Sequence, residues 1–196
     1  MELKKLPDQE LISQFLSGNQ QAIEVLISRH KDKVFTYIFL LVKDPVIAED
    51  IFQDTFVKIV NSLVSGRYKD DGKFVSWTIR IAHNLTIDHF RKIKKSNEIQ
   101  GNSFESFVLN SKKYSVDNVE EEIIREQIKN DIRNLVDELP AEQKEVILLR
   151  HYGGLSFKEI AEQTGVSINT SLGRMRYALI NLRKMIGEKN LSLTLS

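Results

Sequence analysis

The stretch from Leu155 to Met185, LSFKEIAEQTGVSINTSLGRMRYALINLRKM, constrains the fold more than any other part of the chain. It contains a short helical run and a long one with a single glycine between them. Ser156 and Glu159 form a capping box, in which the hydroxyl accepts from a free N–H of the first turn and the carboxylate reaches back to the cap. Gly165 stands where the short helix has to stop, because glycine enters the left-handed turn without steric cost. Ser167 can cap the next helix. Ala161, four residues before the glycine, is a small residue where two helices must cross closely. Short helix, glycine turn and long helix make the helix-turn-helix pattern.

Projected at about 100° per residue, the second helix places Ile168, Leu172, Met175, Leu179, Leu182 and Ile186 on one side, the expected core stripe. Asn169, Thr170, Gly173, Arg174 and Tyr177 fall on the rest, with Arg176 at the edge and Lys158 on the short helix before it. Asparagine and arginine can pair bidentately with adenine and guanine edges, and Gly173 lets the backbone come close. An ordinary amphipathic helix with a solvated face has the same pattern, and helix-turn-helix geometry also occurs in proteins that never touch DNA. Duplex binding is therefore an expectation of this stretch, to be weighed with the rest of the chain.

The 196 residues have room for one or two small domains, and 41% hydrophobic with 28% charged residues is the balance of a soluble globular protein. A net charge of +1 gives no global basic excess, so any affinity for nucleic acid must come from local patches. Such patches exist. Lys73 to Lys95 holds Lys73, Arg80, Arg91, Lys92, Lys94 and Lys95 against Asp88, whereas 117–138 is rich in aspartate and glutamate. With no cysteine, disulfides, thiolate nucleophiles and cysteine metal sites are excluded, which fits a reducing cytoplasm, the expected location. The apolar run Val34 to Val42 is too short for a bilayer, which needs about 20 residues, and reads as a buried helix. His30, His83, His89 and His151 show no metal-ligand spacing, and no phosphate-binding loop or catalytic motif occurs. The expectation is a non-enzyme without cofactor or metal.

In chain order, helices are expected over Asp8 to Leu16, over Gln20 to Val42, from Pro45 behind the cap Asp44 to about Leu63, and over Lys73 to about Lys95. Periodicity is lost from Asn97 to Ser115 and resumes at Val119; Pro140 breaks it before Ala141 to Tyr152. The expected architecture is all-α: a helical bundle over 1–96, a flexible linker over 97–118, a helix-turn-helix domain over 119–186 and a tail over 187–196. On helix 73–95, Arg80, Asn84, Arg91 and Lys95 share a narrow strip, Asp88 flanks it, and apolar residues including Trp77 lie to either side. Cations beside aromatic rings suit a single strand, whose phosphates and unstacked bases need both; Trp77 and Phe74 as core residues beside solvated lysines are the equal alternative for this helix taken alone. Glu49, Asp50, Gln53 and Asp54 form a polar side of the preceding helix, which is either solvated surface or a docking face for a basic partner.

With these pieces in order, the chain resembles a bacterial RNA polymerase sigma factor of the extracytoplasmic function group. Three blocks carry the resemblance: DPVIAEDIFQDTFVKIV (Asp44 to Val60), GKFVSWTIRIAHNLTIDHFRK (Gly72 to Lys92) and the residues from Leu139 to Lys184. The resemblance implies that the first grips the coiled coil of the largest polymerase subunit, with Asp50, Gln53 and Asp54 at contact positions and Glu49 beside them. It implies that the second melts and reads the −10 element through Asn84, Asp88 and Arg91, with Trp77 at the family's aromatic position and Arg80 and Lys95 on the same strip. It implies that the third reads the −35 element through Asn169, Thr170, Arg174 and Arg176, with Lys158, Gly173 and Tyr177 counted in the same face. Implied partners are core RNA polymerase, through coiled coil and flap, promoter DNA in duplex and single-stranded form, and an anti-sigma factor, with no membrane insertion. The sequence departs from the family's habit at Ser171, Gly173 and His83. A stand-alone helix-turn-helix regulator binding duplex DNA only, and a helical interaction module without DNA, are the alternatives.

Overall fold

The computed structural model describes residues 3–69, 71–100 and 120–191. Among them the regular structure is helical throughout: a single 3-10 turn at Leu3–Lys5, then α1 (Asp8–Leu16), α2 (Gln20–Val42), α3 (Pro45–Val64), α4 (Phe74–Gln100), α5 (Glu120–Asp137), α6 (Ala141–Gly153), α7 (Phe157–Thr164) and α8 (Ile168–Glu188). The described residues separate into two compact units, one built on α1 to α4 and one on α5 to α8, with Tyr152–Gly154 grouped with the first. The all-α, two-unit architecture is as expected. The boundaries differ at two helix ends: α8 runs to Glu188, two residues into the expected tail, and α4 runs further still. α4 continues through Gln100 rather than ending near Lys95, because neither glycine nor proline interrupts it before Gly101. Residues 97–100 of the expected linker are thus helical, 101–118 lie outside the described residues, and so do 192–196 of the expected tail.

In the first unit, α2 is the central element and α1, α3 and α4 pack on it. Leu11, Leu26, Val34, Tyr37, Ile38, Ile59 and Ile79 are fully buried among them. The start of α3 is set locally: the Asp44 carboxylate accepts from the N–H groups of Val46 and Ile47 at 2.8 and 3.0 Å, with Pro45 at the first helical position. Asp8 heads α1 but does not cap it. Its carboxylate receives Arg29 Nη1 at 2.6 Å and lies 2.8 Å from His30 Nε2, tying the start of α1 to α2. Buried threonines bond back along their own helices, Thr55 Oγ1 to Ile51 O and Thr86 Oγ1 to Ala82 O.

In the second unit the expected caps are present. Ser156 N donates to Glu159 Oε2 at 2.8 Å and Glu159 N donates to Ser156 Oγ at 3.2 Å. Gly165 takes the left-handed conformation at φ 68°, and Ser167 Oγ accepts from Thr170 N at 3.0 Å to start α8. Ala161 is buried, as a close crossing of α7 and α8 requires. Asn181 Nδ2 donates to Gln143 Oε1 at 2.8 Å, linking α8 to α6, and Lys189 Nζ pairs with Glu138 at 2.5 Å. Arg150 lies 5.4 Å over the Phe157 ring and donates from Nη1 to Leu155 O, which pins the turn that leads into α7.

Candidate nucleic-acid interface

α4 buries one side and opens the other. Among its described side chains, Phe74, Thr78, Ile79, Ala82, His83 and Thr86 are the buried ones. On the opposite side Asn84, Asp88, Arg91 and Lys95 are exposed, while Trp77 and Arg80 are half-buried at the strip's amino-terminal end. The strip thus occupies the face projected for it. Arg91 Nη1 lies 3.3 Å from Asp88 Oδ1, an exposed pair one turn apart. Trp77 is held in a ring cluster, 4.4 Å from Tyr68 and 5.9 Å from Phe74 between centroids. Tyr68 belongs to the loop before α4 and carried no periodic signal in the sequence; its place beside Trp77 is a tertiary result.

Behind the strip sits a buried pair. Tyr37 OH and His83 Nδ1 are 2.9 Å apart, and desolvation pushes the His83 imidazole down to about 4, so it is neutral in the folded protein near pH 7. His83 faces inward and its neighbour Asn84 outward, as successive helical residues about 100° apart must.

α3 presents Glu49, Asp50, Gln53 and Asp54 to solvent, with Gln53 Nε2 donating to Glu49 Oε1 at 3.2 Å. Val46, Val57 and Val64, 70%, 61% and 68% exposed, stand at nearly the same azimuth as Asp50 and Gln53. The sequence reading missed these valines; the signal was available, since spacings of eleven and seven return to one face. The surface is therefore acidic and apolar together. A groove of about 430 Å³ joins α3 to α4, lined by Asp50 and Asp54 from one helix and Asp88, Arg91, Lys92 and Lys95 from the other, with Ile47, Ile51 and Leu85 as apolar lining. Two sets of residues assigned to different partners thus share one groove. His89 also lines it, and its Nε2 is buried with no hydrogen-bond partner among the described residues.

α8 is rotated relative to its sequence projection. Ser171 and Ala178 are fully buried, whereas Ile168, Leu172 and Leu179 of the expected core stripe are 45%, 44% and 44% exposed. The buried face lies about 75° from the apolar stripe. Ser171 and Ala178 are small, and small side chains seven residues apart let α8 approach its neighbours closely. Asn169, Thr170, Arg176 and Tyr177 are exposed, as is Lys158 on α7, and Gly173 is half-buried. Arg174 departs from this group: its side chain is 25% exposed and Nη1 lies 3.9 Å from Glu145 Oε2 of α6. Burial raises the Glu145 carboxyl above its usual range, Arg174 acts against that and Glu142 adds to it.

The fold and its exposed faces define a class: an all-α protein with a mixed aromatic and basic strip on one unit and a helix-turn-helix on the other. The Sigma-70 region 2 family matches residues 26–96 and the Sigma-70 region 4 family matches residues 129–174, together more than half of the chain. The chain is 29% identical to the ECF RNA polymerase sigma factor SigW of Bacillus subtilis, over 90% of this chain and 95% of that one. It is 26% identical to the ECF RNA polymerase sigma-E factor of Haemophilus influenzae, with 95% and 96% covered, and 24% identical to the RNA polymerase sigma-H factor of Pseudomonas aeruginosa, with 86% and 88% covered. Among solved structures, the sigma factor RpoE in complex with the anti-sigma factor NepR from Bartonella quintana is similar at a TM-score of 0.62, with 20% identity and coverage of 84% and 96%. CnrH in complex with the cytosolic domain of CnrY is similar at 0.58, with 23% identity and coverage of 92% and 97%. The chain belongs to the sigma-70 family of RNA polymerase sigma factors, in the extracytoplasmic function group.

Proposed function

We propose that this protein docks on core RNA polymerase through α3, captures unpaired −10 bases on the open strip of α4, and places α8 in the major groove of the −35 element. Residues 1–96 form the polymerase and −10 module, 119–186 form the −35 module, and 97–118 join them. Asp50, Gln53 and Asp54, with Glu49 and the exposed valines, meet the coiled coil of the largest subunit; acidic groups among apolar ones suit a basic, amphipathic partner helix. Trp77, Arg80, Asn84, Asp88, Arg91 and Lys95 form the −10 surface. Asn169, Thr170, Gly173, Arg176, Tyr177 and Lys158 form the −35 surface, with Arg174 beside it. The role is binding rather than catalysis. The place of action is the cytoplasm, where polymerase and promoter are; no helix among the described residues is long and apolar enough to cross a membrane. One structurally similar sigma factor, RpoE of Bartonella quintana, was solved in complex with an anti-sigma factor, and an anti-sigma factor covering these faces is expected here too.

The observation that carries this reading is the pair of open polar faces, one on each unit and each opposite its unit's buried side. A regulator that reads duplex DNA alone has use for only one of them. The test is promoter opening by the full chain with bacterial core polymerase, followed by permanganate reactivity of thymines near the start site. Asn84→Ala is expected to bind polymerase normally and to open duplex templates poorly. A template pre-melted at −10 restores activity in part, because the few kcal/mol of unpairing are already spent. Duplex opening by Asn84→Ala at the wild-type level removes Asn84 from the melting role. A wild-type protein that never opens duplex with polymerase overturns the reading as a whole.

A further inference from the structure

The rotation of α8 exposes a side chain that its sequence pattern assigns to the core. Ser171 and Ala178 point inward with no exposed surface, so Leu172, about 100° further round, points out and is 44% exposed. It does not stand alone. Asn169 is three residues before it and Arg176 four after it, both exposed and within about 60° of it around the helix. Along the axis Leu172 lies about 4.5 Å from Asn169 and about 6 Å from Arg176, on the scale of one to two base-pair steps. All three are in the amino-terminal half of the helix, the half that approaches base edges in this motif.

Gly173 supplies an independent observation. A β-carbon built there meets nothing within 4 Å, so packing inside the protein does not call for glycine. Glycine weakens a helix interior relative to alanine. What it leaves is clearance beside Leu172 for something outside the chain to come close.

We propose that Leu172 is a specificity-determining residue of the −35 surface, whose isobutyl group packs against the 5-methyl of a thymine lying between the bases met by Asn169 and Arg176. A leucine offers no hydrogen bond, and in the major groove the thymine methyl is the apolar group that it can recognise. The flanking arginine and asparagine make the surroundings of this leucine favourable to DNA, since a cation and an amide seek phosphates and base edges. The inference rests on the assignment of α8 to duplex reading made above.

The test uses the full chain with bacterial core polymerase to recover sites from a pool of randomised duplexes. Each thymine of the recovered upstream element is then replaced in turn by deoxyuridine, which lacks only the 5-methyl group. At one position this replacement is expected to weaken wild-type binding about fourfold, the value of burying one methyl group. Leu172→Ala should bind that site more weakly and lose the distinction between thymine and deoxyuridine there. Leu179→Ala, equally exposed and about 10.5 Å further along the helix, should keep it. Circular dichroism confirms that both variants remain folded, as half-exposed positions allow. A Leu172→Ala protein that keeps the thymine preference, or a wild type indifferent to every methyl, overturns the inference while leaving duplex reading in place. Recovery of no preferred upstream sequence overturns the duplex assignment of α8 itself, and the inference with it.

Discussion

α4 and α8 are both amphipathic helices with basic residues on the open side, yet α4 turns its projected strip outward whereas α8 is turned away from its apolar stripe. On α4 the strip from Arg80 to Lys95 lies opposite Phe74, Ile79 and Ala82, where the projection put it. On α8 the apolar residues Ile168, Leu172 and Leu179 are half-exposed, and the inward face belongs to Ser171 and Ala178. The difference lies in how each helix is held. α4 has apolar residues on both flanks of its strip and packs on α2 and α3, so only one side is left for charge. α8 packs mainly on α7, its immediate neighbour through a tight turn, and gains more from close approach through small side chains than from burying leucines. Hydrophobicity thus locates a wedged helix, whereas side-chain volume locates one drawn close to its neighbours.

The largest effect is expected at α3, on the unit where sequence and packing agree. Asp50→Arg with Asp54→Arg should abolish core-polymerase binding in a pull-down. The fold should survive, since exposed substitutions cost within about 0.5 kcal/mol. Full retention of binding by the folded variant would break the assignment of this face.

Next comes the depth of α4. The His83 imidazole is held down at about 4 against an ordinary 6.5, so the unfolded chain binds the proton first. Its contribution is present in full above about pH 6.5 and is lost as pH falls from there to about 4, roughly 3 kcal/mol in all. Thermal unfolding across this window should show His83→Gln with a shallower loss on acidification than the wild type. Parallel pH profiles would mean that His83 is not desolvated as described.

Of comparable or smaller size is the contrast between two arginines on α8. Arg176→Ala should weaken promoter binding by about 1–3 kcal/mol and relax preference at one base pair if it reads a base edge, or weaken all sequences alike if it meets phosphate. Arg174→Ala should act chiefly on stability, by removing the cation that favours the charged form of half-buried Glu145. Binding titrations and urea melts of both variants separate the effects. Loss of base preference in Arg174→Ala, with stability unchanged, would return that residue to the reading face and undo the rotation.

The smallest effect tests the rotation directly. The Ser171 hydroxyl is buried without a hydrogen-bond partner among the described residues, so Ser171→Ala should stabilise the protein by about 1 kcal/mol. Ser171→Leu should instead cost about 1–3 kcal/mol through overpacking. A leucine tolerated at 171 without cost in a chemical melt would show that this position faces solvent.

Sequence by itself determined the features that depend on neighbouring residues. Asp44-Pro45 starts α3, Ser156 with Glu159 starts α7, Gly165 ends it and Ser167 starts α8; each is a bond or a backbone angle within a few positions. The open strip of α4 was also legible, because aromatic and branched residues on both flanks leave one solution for its rotation. Tertiary structure alone decided the rest. It turned α8 so that Leu172 faces out and Arg174 meets Glu145, brought Tyr68 to Trp77, and made Asp50 and Asp54 share a groove with Arg91 and Lys95. The physical reason is that a period of 3.6 residues reports which side chains share a face, whereas the choice of the face to bury depends on the shape and distance of the helix opposite.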